Sequence, residues 1–122
     1  MSAARPAPAL SPLALDAPAE TARLADAIRS AVTATLKRRG AVLGLSGGID
    51  SSVTAALCVA ALGHKRVLGV LMPGPFSSDH RVADAHALAR NLGIETRTVD
   101  LRPIYERYLD VYPYLRELPL LQ

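Results

Sequence analysis

A single cysteine, Cys58, leaves this chain no internal disulfide and no multi-cysteine metal site, and its setting is expected to be reducing and cytoplasmic. Long apolar runs are missing too. Pro6, Pro8, Pro12 and Pro18 interrupt the N-terminal segment, so neither a signal peptide nor a membrane span is expected. His64, His80 and His86 show no ligand spacing with one another or with Cys58, which reads them as surface or polar packing residues. Charge is not concentrated either. Lys and Arg number 14 against 11 Asp and Glu, a net +3 at pH 7. The one basic run, Lys37-Arg38-Arg39, suits the C-terminal end of a helix dipole, so no nucleic-acid partner is expected. With 122 residues, half of them hydrophobic, the chain has room for one small domain and not two.

What is present reads as alternating helix and strand. Residues 1–16 are mostly Ala, Pro, Ser and Leu and cannot hold a packed core, so they are expected to form a tail ahead of a domain spanning 17–122. Leu24, Ile28, Val32 and Leu36 recur every four residues, with Asp16 and Glu20 near the start and Gly40 just past the end, which predicts a first amphipathic helix. Strand one is Ala41 to Leu45, and helix two runs from about Ser51 to Leu62 and stops at Gly63. Residues 66–72 read as a buried strand, broken by Pro73, Gly74 and Pro75. Ser77 or Ser78 caps a third helix that ends at Gly93, and Glu95 to Val99 forms a third short strand. Such alternation with short loops predicts right-handed crossovers and a parallel sheet with helices on both faces. Cys58, among Ala55, Leu57 and Ala61 of helix two, reads as core. Tyr105, Tyr108 and Tyr112 form a helical stripe that reads as a subunit surface.

Between strand one and helix two stands Ser46-Gly47-Gly48-Ile49-Asp50-Ser51-Ser52. A strand that ends in small residues and opens a helix leaves several N–H groups pointing outward at the positive end of the helix, which makes a phosphate cradle. No Gly-Lys-Ser/Thr follows, so this is not the Walker loop, and the Gly-x-Gly-x-x-Gly dinucleotide fingerprint is missing. The plainer alternative is a strand-to-helix turn in which Gly47 and Gly48 supply backbone freedom and Asp50 or Ser51 is only the N-cap. The two glycines, the acid and the paired hydroxyls together exceed what such a turn requires.

Ser-Gly-Gly-x-Asp-Ser resembles the pyrophosphate loop (PP-loop) of the ATP pyrophosphatases, which split ATP between its α and β phosphates to adenylate a substrate. The stretches Val67-Leu68-Gly69-Val70-Leu71-Met72-Pro73, Ser77-Ser78 and Asp84 to Ile94 narrow this to a resemblance to NAD synthetase, over about Ala19 to Ile104. The resemblance implies an adenine nucleotide alpha-hydrolase-like (Rossmann-like) fold, truncated here to about three strands in the order three, two, one, with further strands beside strand one. It also implies a ligase that adenylates the carboxylate of deamido-NAD with ATP, releases pyrophosphate and lets ammonia displace AMP. The nucleotide residues it carries over are Gly44, Leu45, Ser46, Gly47, Gly48, Ile49, Asp50, Ser51 and Ser52 of the loop, the backbone of Val70, Leu71 and Met72 for adenine, and Ser78 near the nucleotide. Asp50 is the one implied Mg2+ ligand. No catalytic residue is assigned, because the family's later half, with a second magnesium carboxylate, a substrate loop and a lysine, has no counterpart before Gln122. The chain is therefore expected to be the N-terminal, ATP-binding half of such an enzyme, completed by another chain or paired as a homodimer. A non-catalytic interaction module or remnant, built on Ile104, Tyr105, Tyr108, Leu109 and Tyr112 with Leu115, Leu118, Leu120 and Leu121, and another PP-loop enzyme such as a tRNA-modifying one, are the alternatives.

Overall fold

Asp16 opens the first helix, α1 (Ala17–Ser30), by accepting a hydrogen bond from the Ala19 N–H at 3.1 Å, with Pro18 in the first turn where its missing N–H costs nothing. This computed structural model describes residues 14–118, so residues 1–13 of the expected tail and Leu120 and Leu121 of the apolar C-terminus lie outside the described residues. The helix does not run to Gly40. It widens into a π-helical turn at Ala31–Thr35, where the Leu36 N–H reaches the Ala31 carbonyl at 2.8 Å. Thr33 adds a hydroxyl bond back to the Arg29 carbonyl at 2.8 Å, the kind of competition that bends a helix. Lys37 then takes the left-handed conformation (φ 51) and Arg38 N–H closes the end on the Val32 carbonyl at 2.8 Å, so a lysine ends this helix. Gly40 serves a different purpose: a Cβ there would run into the carbonyl oxygen of Arg66, where two chain segments meet.

The remaining elements are β1 (Ala41–Gly44), α2 (Ile49–Leu62), β2 (Val67–Leu71), α3 (Asp79–Leu92), β3 (Glu95–Thr98) and α4 (Arg102–Val111), with short 3-10 turns at His64–Arg66 and Pro113–Glu117. As expected, α2 stops at Gly63 and α3 at Gly93, both with positive φ (85 and 68). The three strands form one parallel sheet in the order β1-β2-β3, which is the expected order and a truncated Rossmann-like α/β fold, although α1, α2 and α3 pack on one face rather than on both as expected. Registers pair Ala41 with Val67, Leu43 with Gly69 and Gly69 with Thr96, so these residues share a face. Crossovers of one hand between successive neighbours place α2 and α3 on the same side.

Small residues make that packing close. Ala55 and Cys58 of α2 and Ala85 and Ala89 of α3 meet Leu45, Val67, Leu71 and Ile94 in one core, so Cys58 is core as expected. Burial pushes its thiol pKa up, which suits an inert thiol. α1 packs on α2 through buried Ala25, and Arg29 Nε donates to the Ala61 carbonyl at 2.9 Å, placing a cation at the carbonyl end of α2. On the opposite sheet face Val42 is 69% exposed, and β1 has no neighbour on its outer edge among the described residues.

The tyrosine stripe divides. Leu109 is buried, and Tyr105 sets its ring edge-on to Phe76 at 5.7 Å, while Ile104, Tyr108 and Val111 are exposed and Tyr112 lies just past the helix end. The 3.6-residue period puts position 109 nearer to 105 than to 108 around the helix, which accounts for the split.

Candidate functional site

At the C-terminal end of β1 the chain turns sharply into α2. Leu45 is buried, and its N–H bonds the Val70 carbonyl at 2.8 Å, anchoring the loop to the sheet. Gly47 follows with φ 77, and a Cβ there would run into the carbonyl oxygen of Arg81, so the loop lies directly against the first turn of α3. Only glycine meets both demands. α2 begins at Ile49, two residues before the predicted Ser51, with Gly48 as N-cap and no side chain capping it. Asp50 and Ser51 are thus inside the first turn, so neither is the N-cap.

The hydroxyls organise the loop. Ser46 Oγ accepts from the Gly48 N–H at 3.2 Å, and Ser46 Oγ and Ser51 Oγ are hydrogen-bonded at 3.1 Å. Ser51 Oγ also accepts from the Ser46 N–H at 3.2 Å, while Ser52 Oγ donates to the Gly48 carbonyl at 2.7 Å. No acceptor among the described residues meets the N–H groups of Ile49, Asp50 and Ser51, which leaves a row of donors at the positive end of a 14-residue helix. Asp50 and Ile49 are exposed, and the Asp50 carboxylate has no hydrogen-bond or ion-pair partner among the described residues. No group of three His, Cys, Asp or Glu gathers among the described residues. A free carboxylate beside a row of unpaired N–H groups has the donor chemistry that magnesium takes together with phosphate oxygens and water.

Val70, Leu71 and Met72 lie beside the loop, as the shared parallel register requires. The Val70 and Leu71 carbonyls receive the Leu45 and Val99 N–H groups, both at 2.8 Å, whereas the backbone of Met72, just past the strand, is free of such bonds among the described residues. A cavity of about 160 Å³ opens here, lined by Leu45, Ser46, Leu71, Met72, Pro73, Phe76, Ser77, Arg81 and Val82. Ser78 caps α3, its Oγ accepting from the Arg81 N–H at 3.3 Å. Ser77 lines the cavity, and its Oγ accepts from the Gly74 N–H at 2.8 Å, folding the Pro-Gly-Pro segment over the strand end. Phe76 and Arg81 are cavity residues that sequence reasoning missed; Arg81 lies one turn beyond the serine pair, which was the available signal.

A larger hollow, about 650 Å³, lies at the other end of the strands among Arg39, His64, Lys65, Arg66 and Arg97. Ligands of parallel α/β sheets bind beyond the strand C-termini, which favours the smaller cavity at the loop.

Comparison with known proteins identifies the family. The NAD synthase family matches residues 20–117. The chain is 48% identical over 106 residues to an NH(3)-dependent NAD(+) synthetase of Mesorhizobium japonicum, covering 87% of this chain and 32% of that protein. Over 68 residues it is 60% identical to a glutamine-dependent NAD(+) synthetase of Synechocystis, covering 56% of this chain and 12% of that one. Among solved structures, a glutamine-dependent NAD+ synthetase from Acinetobacter baumannii in complex with ADP superposes with a TM-score of 0.74 at 35% identity, over 84% of this chain and 20% of that chain. The chain thus spans about a third or less of the length of these relatives. A family match over residues 20–117, most of this chain, means that the chain belongs to the NAD synthase family.

Proposed function

We propose that this chain is the ATP-binding part of an NAD synthetase, a PP-loop ligase that amidates deamido-NAD to NAD. The observation that carries the reading is the Ser46–Ser52 loop, with three unpaired first-turn N–H groups and a free Asp50 carboxylate at the C-terminal end of a parallel sheet. The loop N–H groups and the Ser46 and Ser51 hydroxyls hold phosphate oxygens, and Gly47 and Gly48 let the backbone approach them. The cavity beside Met72 and Phe76 receives the base. Asp50 would hold magnesium, which would supply charge to offset the pyrophosphate leaving group. In the whole enzyme the deamido-NAD carboxylate attacks the α-phosphorus, pyrophosphate leaves, and ammonia then displaces AMP.

Groups aimed at the developing charge and at the second substrate are needed as well as a phosphate cradle, so catalysis calls for residues besides those of this sequence, on the same or another polypeptide. The exposed stripe of Ile104, Tyr108 and Val111 supports association with the rest of such an enzyme or with a second copy.

Calorimetric titration of the full chain with a non-hydrolysable ATP analogue, with and without magnesium, tests the reading. Saturable binding that magnesium strengthens is expected, and Asp50→Ala should remove the magnesium increment. A chain shown by circular dichroism to be folded, yet binding no nucleotide, would overturn it and leave an interaction module.

A further inference from the structure

Arg81 stands where the phosphate loop and α3 meet. Three constraints hold its backbone there. It lies in the first turn of α3, its N–H is bound to Ser78 Oγ at 3.3 Å, and its carbonyl oxygen occupies the space a Gly47 side chain would need. Its Cα is therefore set relative to the loop by direct backbone contact rather than by a flexible connection. Arg81 also shares the 160 Å³ cavity with Ser46 and Ser77, and no other Lys or Arg lines that cavity. Its guanidinium makes no ion pair or side-chain hydrogen bond among the described residues, although Asp79 and Asp84 lie on the same helix.

The chemistry of the loop leaves a requirement that such a group meets. Its donors to phosphate are neutral N–H groups and hydroxyls, and its single ionised side chain, Asp50, carries the sign of the ligand. Magnesium at Asp50 offsets part of a polyphosphate's charge from one side. A guanidinium, planar and always charged, presents paired donors that match two phosphate oxygens.

The geometry points to Arg81 as a phosphate-contact residue of the nucleotide site, closing over the polyphosphate from α3 opposite the Ser46–Ser51 hydroxyl pair. This rests on the nucleotide reading and adds to it a residue outside the loop. Because the contact is to phosphate and not to the base, it acts on inorganic tripolyphosphate as it does on ATP, and leaves adenosine untouched.

The test titrates the full chain and its Arg81→Ala and Arg81→Lys variants with a non-hydrolysable ATP analogue, with tripolyphosphate and with adenosine, at several salt concentrations. Position 81 is exposed and helical, so both variants should fold, which urea unfolding checks. The expected result for Arg81→Ala is a loss of about tenfold or more in affinity for the analogue and for tripolyphosphate, unchanged adenosine binding and a shallower salt dependence. Arg81→Lys should recover part of the loss. Analogue and tripolyphosphate affinities within about twofold of the parent chain would overturn the role of Arg81 while leaving the nucleotide reading intact. An equal loss for adenosine would also overturn it, since that marks a change in cavity shape. Absence of any binding by the folded parent chain would overturn both.

Discussion

Gly47 and Gly48 are adjacent in the same loop, yet the structure asks different things of them. Gly47 has φ 77 and no room for a Cβ beside the Arg81 carbonyl, whereas Gly48 has φ −89 and a Cβ would stand 3.2 Å from Ser46 Oγ, the end of a short side chain. Gly47→Ala must strain the backbone and push the loop away from α3 together, which should cost about 1–3 kcal/mol. Gly48→Ala should stay within about 1 kcal/mol of the parent chain. Urea unfolding of the two variants side by side measures the difference. Equal costs would mean that the loop and the first turn of α3 are not locked to each other, and would also remove the support for Arg81 as a fixed neighbour of the loop.

Elements were most legible where chain chemistry punctuates them. Gly63, Gly93 and the Pro73-Gly74-Pro75 segment mark three boundaries that the structure reproduces, and the apolar runs of β1 and β2 are short and bounded. The misplaced boundaries share a cause: a signal read locally is governed by a tertiary contact or by a changed hydrogen-bond step. The four-residue spacing of Val32 and Leu36 continues while the backbone bonds lengthen to the π pattern, so periodicity alone missed the end of α1. Gly40 looked like a helix cap because its real reason, the Arg66 carbonyl, comes from a distant segment. Within the site, the loop was legible because its residue types serve its own backbone, whereas Phe76 and Arg81 join it only when α3 folds back on β2. The start of α4 gives a prediction at this scale. Asp100 accepts from the Arg102 N–H at 2.9 Å and holds its guanidinium, and these bonds lower the Asp100 pKa to about 2. A depressed carboxylate pKa stabilises the fold above the unfolded value, near pH 4, and that contribution is lost as pH falls through about 2. Asn keeps a side-chain oxygen that can accept the Arg102 N–H and removes the charge. Thermal unfolding of Asp100→Asn should therefore fall slightly below the parent at pH 6 and coincide with it near pH 2, and the gap should shrink with added salt.

For the whole molecule, the question is what a three-stranded sheet does with β1 as an open edge. β1 is apolar, Val42 is 69% exposed, and one side of the strand has no neighbour among the described residues. Natural sheets protect such edges with charge, proline or a covering segment, and β1 has neither charge nor proline. α4 offers a second apolar surface in Ile104 (65% exposed) and Tyr108 (54%), on a different element. Both surfaces favour association, but a lysine at one of them separates their contributions. Val42→Lys places a charge on an already exposed position, so the urea midpoint should hardly change. If the edge drives assembly, sedimentation of the full chain should show concentration-dependent oligomers that Val42→Lys shifts toward the monomer, with Tyr108→Lys much less effective. The opposite ranking would assign the contact to α4 and leave β1 as a free edge that does not drive assembly.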